Sequence, residues 1–187
     1  EKSAMDQLIS IREIKKAQIE DYFRFIQDQI KTFSNDRMII DAMREFNSSF
    51  HSYPGQLDVL NYGRFYDELS TYYSDEFLKQ YQQVNNDAEF DIKQVMDQLD
   101  NEAIALQYRY IQANPHALGS KDELVETDGN SHYELAHKKY HPHIRDYLKK
   151  FGYYDIFLVD SNTGDIVYSV FKELDYATSL FDGPYAE

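Results

Sequence analysis

Between Phe151 and Glu173 the chain reads FGYYDIFLVDSNTGDIVYSVFKE, the one stretch with the pattern of a β-hairpin. Tyr154 to Val159 is aromatic and β-branched, Asp160-Ser161-Asn162-Thr163-Gly164-Asp165 supplies turn chemistry, and Ile166 to Phe171 is apolar and β-branched again. Asp and Asn side chains satisfy local backbone donors in such a turn, and Gly164 accepts positive φ without steric cost. The roughly 150 residues before Phe151 are mostly patterned for helices, with His116 to Asn130, polar and carrying Gly119 and Gly129, read as a loop. The fold class that follows is α+β and predominantly α. It comprises a long N-terminal helix and a helical bundle, then a small β element with its hairpin near 154–171. The expected division is 1–113 for the helical stalk region and 114–187 for the segment that carries the hairpin.

The helical part is punctuated by capping and turn residues. From Ser3 to Phe33, Leu8, Ile11, Ile14, Ile19, Tyr22, Phe23, Ile26, Ile30 and Phe33 fall on one face, as a buried stripe requires. A helix of about 30 residues is ~45 Å long, which suggests a coiled-coil or receptor stalk. Ser34-Asn35-Asp36 interrupts it with N-cap residues. A second helix follows with Ile39, Ala42, Met43, Phe46 and Phe50 inward, stopping before a turn at Tyr53-Pro54-Gly55. Leu57 to Tyr73 is expected as a helix. Ser74 to Val84 is expected as a separate short one capped by Ser74, and Asn85-Asn86-Asp87 as a break. Ala88 to Ala113 reads as the cleanest helix, with Ile92, Val95, Leu99, Ala103, Leu106 and Tyr110 repeating at a spacing that invites a partner helix. Asn114-Pro115 ends it. Ser131 and Glu134 form a capping box for a short helix to Tyr140. Pro142 is expected to start another, closed by Lys149, Lys150 and Gly152.

Composition narrows the function classes. A balance of 19 basic against 33 acidic residues argues against nucleic acid and against anionic lipid surfaces, which reward positive patches. The absence of cysteine excludes disulfides, thiol nucleophiles and Cys-type zinc sites. No apolar run approaches the ~20 residues of a membrane span. The opening Glu1-Lys2-Ser3-Ala4-Met5 is already in helical register and has no signal-peptide pattern, so the chain reads as a part of something longer.

Chemistry-bearing motifs are few. His132, His137, His141 and His143 cluster, and His137 with His141 has the i, i+4 spacing that seats zinc when a third ligand such as Glu134 converges. Lysines stand where HExxH would place a general base, and a helix start at Pro142 would splay His141 away from His137, so no metal is expected. Asp160 to Asp165 lacks the glycine and terminal glutamate of an EF-hand loop, and a hairpin turn explains it. No GxGxxG, GxxxxGK[ST] or GxSxG is present. Neither an enzyme nor a cofactor is expected.

Tyr108, Tyr110, Asn114, Tyr153, Tyr154, Tyr168, Lys172 and Tyr185 come from segments that meet if the long helix packs on the sheet. Tyrosines with one lysine and one asparagine suit a small-molecule pocket, and Tyr110, Asn114, Tyr154, Tyr168, Lys172 and Tyr185 are the candidate ligand-binding residues. The plainer alternative makes the same rings core or boundary residues.

Several segments together carry a resemblance. They are Tyr110 to Lys121 (YIQANPHALGSK), Tyr140-His141-Pro142, Arg145-Asp146, Phe151 to Asp160, Thr163-Gly164-Asp165, Tyr168 to Glu173 and Gly183-Pro184-Tyr185-Ala186, with Asp36-Arg37-Met38 and Ala42 to Phe46 upstream. The chain resembles the extracytoplasmic sensor region of bacterial transmembrane receptors, most closely methyl-accepting chemotaxis proteins with a Cache-like (PDC, PAS-related) sensor. The same sensor type also sits on membrane cyclases, phosphatases and histidine kinases. The resemblance implies a periplasmic, ligand-sensing domain that carries a signal across the inner membrane. It also implies a membrane helix just before Glu1, a homodimer along the long helix and a pocket between sheet and helix. In that family further strands follow Gly-Pro-Tyr-Ala, so the sheet is expected to be incomplete. A different class of reading is a helical interaction scaffold with the hairpin as decoration.

Overall fold

Helices dominate the computed structural model, which describes residues 2–56 and 61–186. Two compact units make up the chain, residues 1–41 and 42–187. The first consists of α1 (Lys2–Ser34) and the opening turn of α2 (Arg37–Phe50). Asp36 starts α2 by accepting the amide of Met38 on Oδ1 at 2.8 Å. The expected stripe of α1 forms, but it is not covered: Leu8, Ile11, Ile14, Ile19, Phe23 and Ile30 are 54–63% exposed.

The second unit begins inside α2, where Ala42, Phe46 and Phe50 are buried. Tyr53–Gln56 is a single helical turn, α3, rather than the expected non-helical turn. Pro54 fits there because a first-turn amide has no intrahelical partner to lose. Of the expected helix from Leu57 to Tyr73, residues 57–60 lie outside the described ones. The remainder is α4 (Tyr62–Tyr72), and it runs through a π turn (Tyr73–Phe77) directly into α5 (Leu78–Val84). Ser74 is thus no cap: its hydroxyl donates back to the carbonyl of Ser70 at 2.9 Å from inside the helix. Asn86 and Asp87 then turn the chain in the left-handed region, with φ of 54° and 59°.

The expected continuous helix from Ala88 to Ala113 is broken. It divides into α6 (Ile92–Met96), α7 (Asn101–Gln107) and a π turn (Tyr108–Gln112). Two aspartates decide this, since Asp91 Oδ1 accepts the amide of Gln94 at 3.0 Å and Asp100 Oδ1 accepts that of Ala103 at 2.7 Å. Each is an N-cap that begins a new helix in the middle of an unbroken apolar repeat. Most of the stripe finds partners within the unit: Ile92, Ala103, Leu106 and Tyr110 are buried, while Val95 and Leu99 are half-buried.

Helix α8 (His132–Phe151) opens with the expected capping box and closes on Gly152 at φ 70°. Pro142 lies inside α8 rather than starting a new helix. Interior proline costs ~3 kcal/mol, and burial of Tyr140, His141, Ile144 and Leu148 on both sides of it offsets that. After α8 comes an antiparallel pair, β1 (Phe157–Val159) and β2 (Ile166–Ser169), shorter than the pattern suggests and irregular between Leu158 and Val159. The outer edge of β2 is not bare: Asp165 bridges Ser179, and Ile166 donates to the carbonyl of Thr178 at 2.9 Å. The hairpin rests on α2 and α8. Phe46 lies 4.7 Å from the ring of Tyr168, and the Tyr133 hydroxyl donates to the carbonyl of Val167 at 2.7 Å. Because Tyr110 also packs against Tyr133 and Tyr176, the helical region and the hairpin share one core. The division between the two compact units falls inside α2.

Candidate functional site

Gln107, buried at the end of α7, organises a buried polar cluster. Its Oε1 accepts the Tyr73 hydroxyl at 2.7 Å, while its Nε2 donates to the carbonyls of Tyr176 at 2.7 Å and Leu174 at 3.0 Å. A single amide thereby ties the π turn at 73–77 to the segment after β2. That segment bends sharply, with Lys172 and Ala177 in the left-handed region at φ 57° and 65°. Between these tied elements lies a cleft of about 470 Å³, lined by Tyr73, Phe77, Tyr81, Ile111, Leu118 and residues 172–175, with Tyr185 at its side. The volume falls in the range of small-molecule sites, and the lining is mainly apolar with a few polar groups, as such sites require.

Two polar atoms at this cleft are buried without a hydrogen-bond partner, Asp175 Oδ1 and the Tyr185 hydroxyl. Burial, then the charges of Asp155 and Glu173, push the Asp175 carboxyl up to about 6. Burial and the neighbouring Asp175 raise Tyr185 as well. Unsatisfied buried polar atoms are costly, and a solute or water entering the cleft is what would meet these two.

The six residues expected to form a pocket are distributed differently. Tyr110, Tyr168 and Lys172 do come together: the Lys172 ammonium lies 5.8 Å from the Tyr110 ring centre and 5.4 Å from that of Tyr168. They form packed interior, however, and neither Tyr110 nor Tyr168 lines the cleft. Asn114 is fully used as a brace. Its Nδ2 donates to the carbonyls of Tyr110 and Lys121, and its Oδ1 accepts the amide of His116. Tyr154 is on the surface, 74% exposed, with its hydroxyl on Glu173 at 2.8 Å. Only Lys172 and Tyr185 line the cleft. Sequence reasoning missed Tyr73, Phe77, Tyr81 and Asp175. The i, i+4 spacing of Phe77 and Tyr81 marks them as one face of a helix, but nothing local says that this face meets residues a hundred positions later.

Behind the cleft is a buried layer of imidazoles. With Pro142 inside the helix, His141 is not splayed from His137; their rings stack at 4.3 Å. His141 Nε2 donates to the carbonyl of Asp122 at 2.8 Å, since a carbonyl only accepts, and Nδ1 accepts the Tyr168 hydroxyl at 2.7 Å. Burial and then the nearby Lys172 hold both histidines well below their ordinary range, as neutral rings. Lys172 Nζ donates to the carbonyls of Val170 and Ser169 at 3.0 and 3.2 Å. Burial lowers this lysine to about 7, against the opposing pull of Asp155 and Asp122. Asp155 itself accepts Ser169 Oγ at 2.7 Å and the amides of Val170 and Phe171. Among the described residues no group of three or more His, Cys, Asp or Glu side chains is placed to hold a metal ion, and no helix is long and apolar enough to cross a membrane.

No family model matches the chain, and no curated protein or solved structure is similar to it.

Proposed function

We propose that this chain is the extracytoplasmic sensing domain of a bacterial transmembrane receptor of the chemoreceptor type, one that binds a small solute and performs no catalysis. The observation that carries the reading is the cleft beside the post-hairpin segment, where Asp175 Oδ1 and the Tyr185 hydroxyl are buried and unpartnered. A scaffold would instead present an exposed apolar stripe from residues 88–113; of that stripe Ile92, Ala103, Leu106 and Tyr110 are buried and Val95 and Leu99 half-buried. The exposed face of α1 supports a homodimer. Ile19, Phe23 and Ile30, all exposed, and half-buried Ile26 between them follow the alternating steps of four and three that a second copy of the same helix would interlock with. In the intact receptor, attachment to the membrane would come from helices outside this chain, and tethering there would raise the effective concentration for pairing. The solute would act by preferring one of two arrangements of the sensing unit.

The test is a thermal-shift screen of amino acids, organic acids and polyamines. A bound solute at 100 times its dissociation constant stabilises by ~2.7 kcal/mol, a rise of several degrees. A melting temperature unmoved by every class of solute would overturn the reading.

A further inference from the structure

We propose that the cleft takes an organic ammonium ion, with Asp175 as its counter-charge and the rings of Tyr73, Phe77 and Tyr81 as its walls. This names the ligand class for the sensing role above and rests on that role. The argument starts from the charges that line the space. Asp175 and Glu173 are both carboxylates, and among the described residues no ion pair engages either of them. The Tyr185 hydroxyl, buried and unpartnered, sits close enough to Asp175 to feel its charge, and so does Tyr73.

Lys172 is the one cation among the lining residues, and its ammonium is not available to a ligand. It is held by the carbonyls of Ser169 and Val170 and lies beside His141 Nδ1 and the rings of Tyr110 and Tyr168, none of which lines the cleft. An anionic ligand would face the unpaired Asp175 with no donor charge to meet it, whereas a cation supplies what the buried oxygen lacks.

The remaining lining fixes what kind of cation. Tyr73, Phe77 and Tyr81 contribute aromatic surface. Phe77 and Tyr81 stack on each other at 5.8 Å, and Phe90 packs on Tyr81 at 5.1 Å, which holds that wall rigid. Aromatic faces attract weakly hydrated ammonium ions, most strongly where the site is desolvated. A hard metal ion wants six or more oxygens, and the cleft offers too few carboxylates for that. A volume of about 470 Å³ holds an alkylammonium, a diamine or a quaternary amine with room for a short chain.

The test uses the full chain in titration calorimetry and thermal shift at moderate salt. Choline, tetramethylammonium and 1,4-diaminobutane are the probes, 3,3-dimethylbutan-1-ol is the uncharged isostere of choline, and succinate is the anionic control. At least one ammonium probe is expected to bind and raise the melting temperature, while the isostere and succinate do nothing. Asp175→Asn should weaken that binding about tenfold or more without loss of fold, because it keeps the side chain's shape and removes only the charge of a half-buried carboxylate whose Oδ1 has no partner. Tyr81→Leu, which keeps the charge and removes a ring, should weaken it by a smaller factor. If succinate binds and the ammonium probes do not, the ligand class is wrong while the sensing role stands. If no ammonium probe binds and the wider solute screen is also silent, both fall. Ammonium binding undiminished in Asp175→Asn would place the site elsewhere and overturn the proposal.

Discussion

Replacing Lys172 with methionine isolates what a buried ammonium does to this fold. The side chain is 1% exposed, and its protonation falls from the ordinary 10.5 to about 7 through burial. A base depressed in the folded state is held more tightly by the unfolded chain, so the penalty is full below about pH 7 and is relieved as pH rises towards the unfolded value. At ~1.4 kcal/mol per pH unit, a displacement of about 3.5 units corresponds to roughly 5 kcal/mol at low pH, about 4 at pH 7 and about 2 at pH 9. Methionine keeps an unbranched chain but abandons the carbonyls of Ser169 and Val170, a loss of ~1 kcal/mol each. Lys172→Met should therefore be more stable than the parent by about 2 kcal/mol at pH 7 and close to equal at pH 9. Urea unfolding followed by circular dichroism, with both proteins at pH 7, 8 and 9, reads this directly. Asp175, His137 and His141 titrate below that window in the folded chain, and any group common to both proteins cancels in the difference. Stability curves that stay parallel across the window, or a variant less stable than the parent at pH 7, would show that no neutralised lysine lies in this core.

Other parts of the fold make separate predictions. Ser131→Ala removes the hydroxyl that accepts the amide of Glu134 in the capping box of α8, and should lower stability by ~1 kcal/mol in the same unfolding assay. Tyr133→Phe deletes a hydroxyl that donates to the Val167 carbonyl and, its own proton committed there, accepts from Tyr176 at 2.8 Å; a loss of ~1–3 kcal/mol is expected because both partners are buried. Pro142→Ala restores an amide inside α8 where a ring now interrupts the ladder. It should raise the melting temperature, by a gain below the ~3 kcal/mol intrinsic difference because proline also restricts the unfolded chain. An unchanged or lowered melting temperature would mean that the proline is needed to seat His141 against Tyr168.

Local chemistry legible in the sequence was reproduced wherever the deciding partners lie within a few residues. Asp36 starts α2, Ser131 and Glu134 box α8, Gly152 ends it in the left-handed region, and the Asp160–Asp165 run makes the hairpin turn, with Asp160 accepting the amide of Asn162 at 2.8 Å. The length of α1 followed from periodicity for the same reason. Periodicity failed where two local preferences compete. Between Ala88 and Ala113 the apolar repeat is unbroken, yet Asp91 and Asp100 cap in mid-stripe. At Pro142 the conflict runs the other way: a residue that starts helices is carried through one, because the flanking turns bury Tyr140 and Ile144.

The candidate site divides along the same line. That tyrosines, Lys172 and Tyr185 would gather near the hairpin could be read from residue type, since buried hydroxyls and amines need partners wherever they fall. Which of them face open space could not. A long amphipathic helix, a capped helical array and one hairpin are all readable from residue order alone, because each depends on backbone chemistry within a turn or two. It took the folded arrangement for Gln107 to link Tyr73 to the carbonyls of Leu174 and Tyr176, and so hold Asp175 beside an aromatic wall. Those contacts join positions as many as 69 residues apart, and no local preference of the chain encodes a separation of that kind.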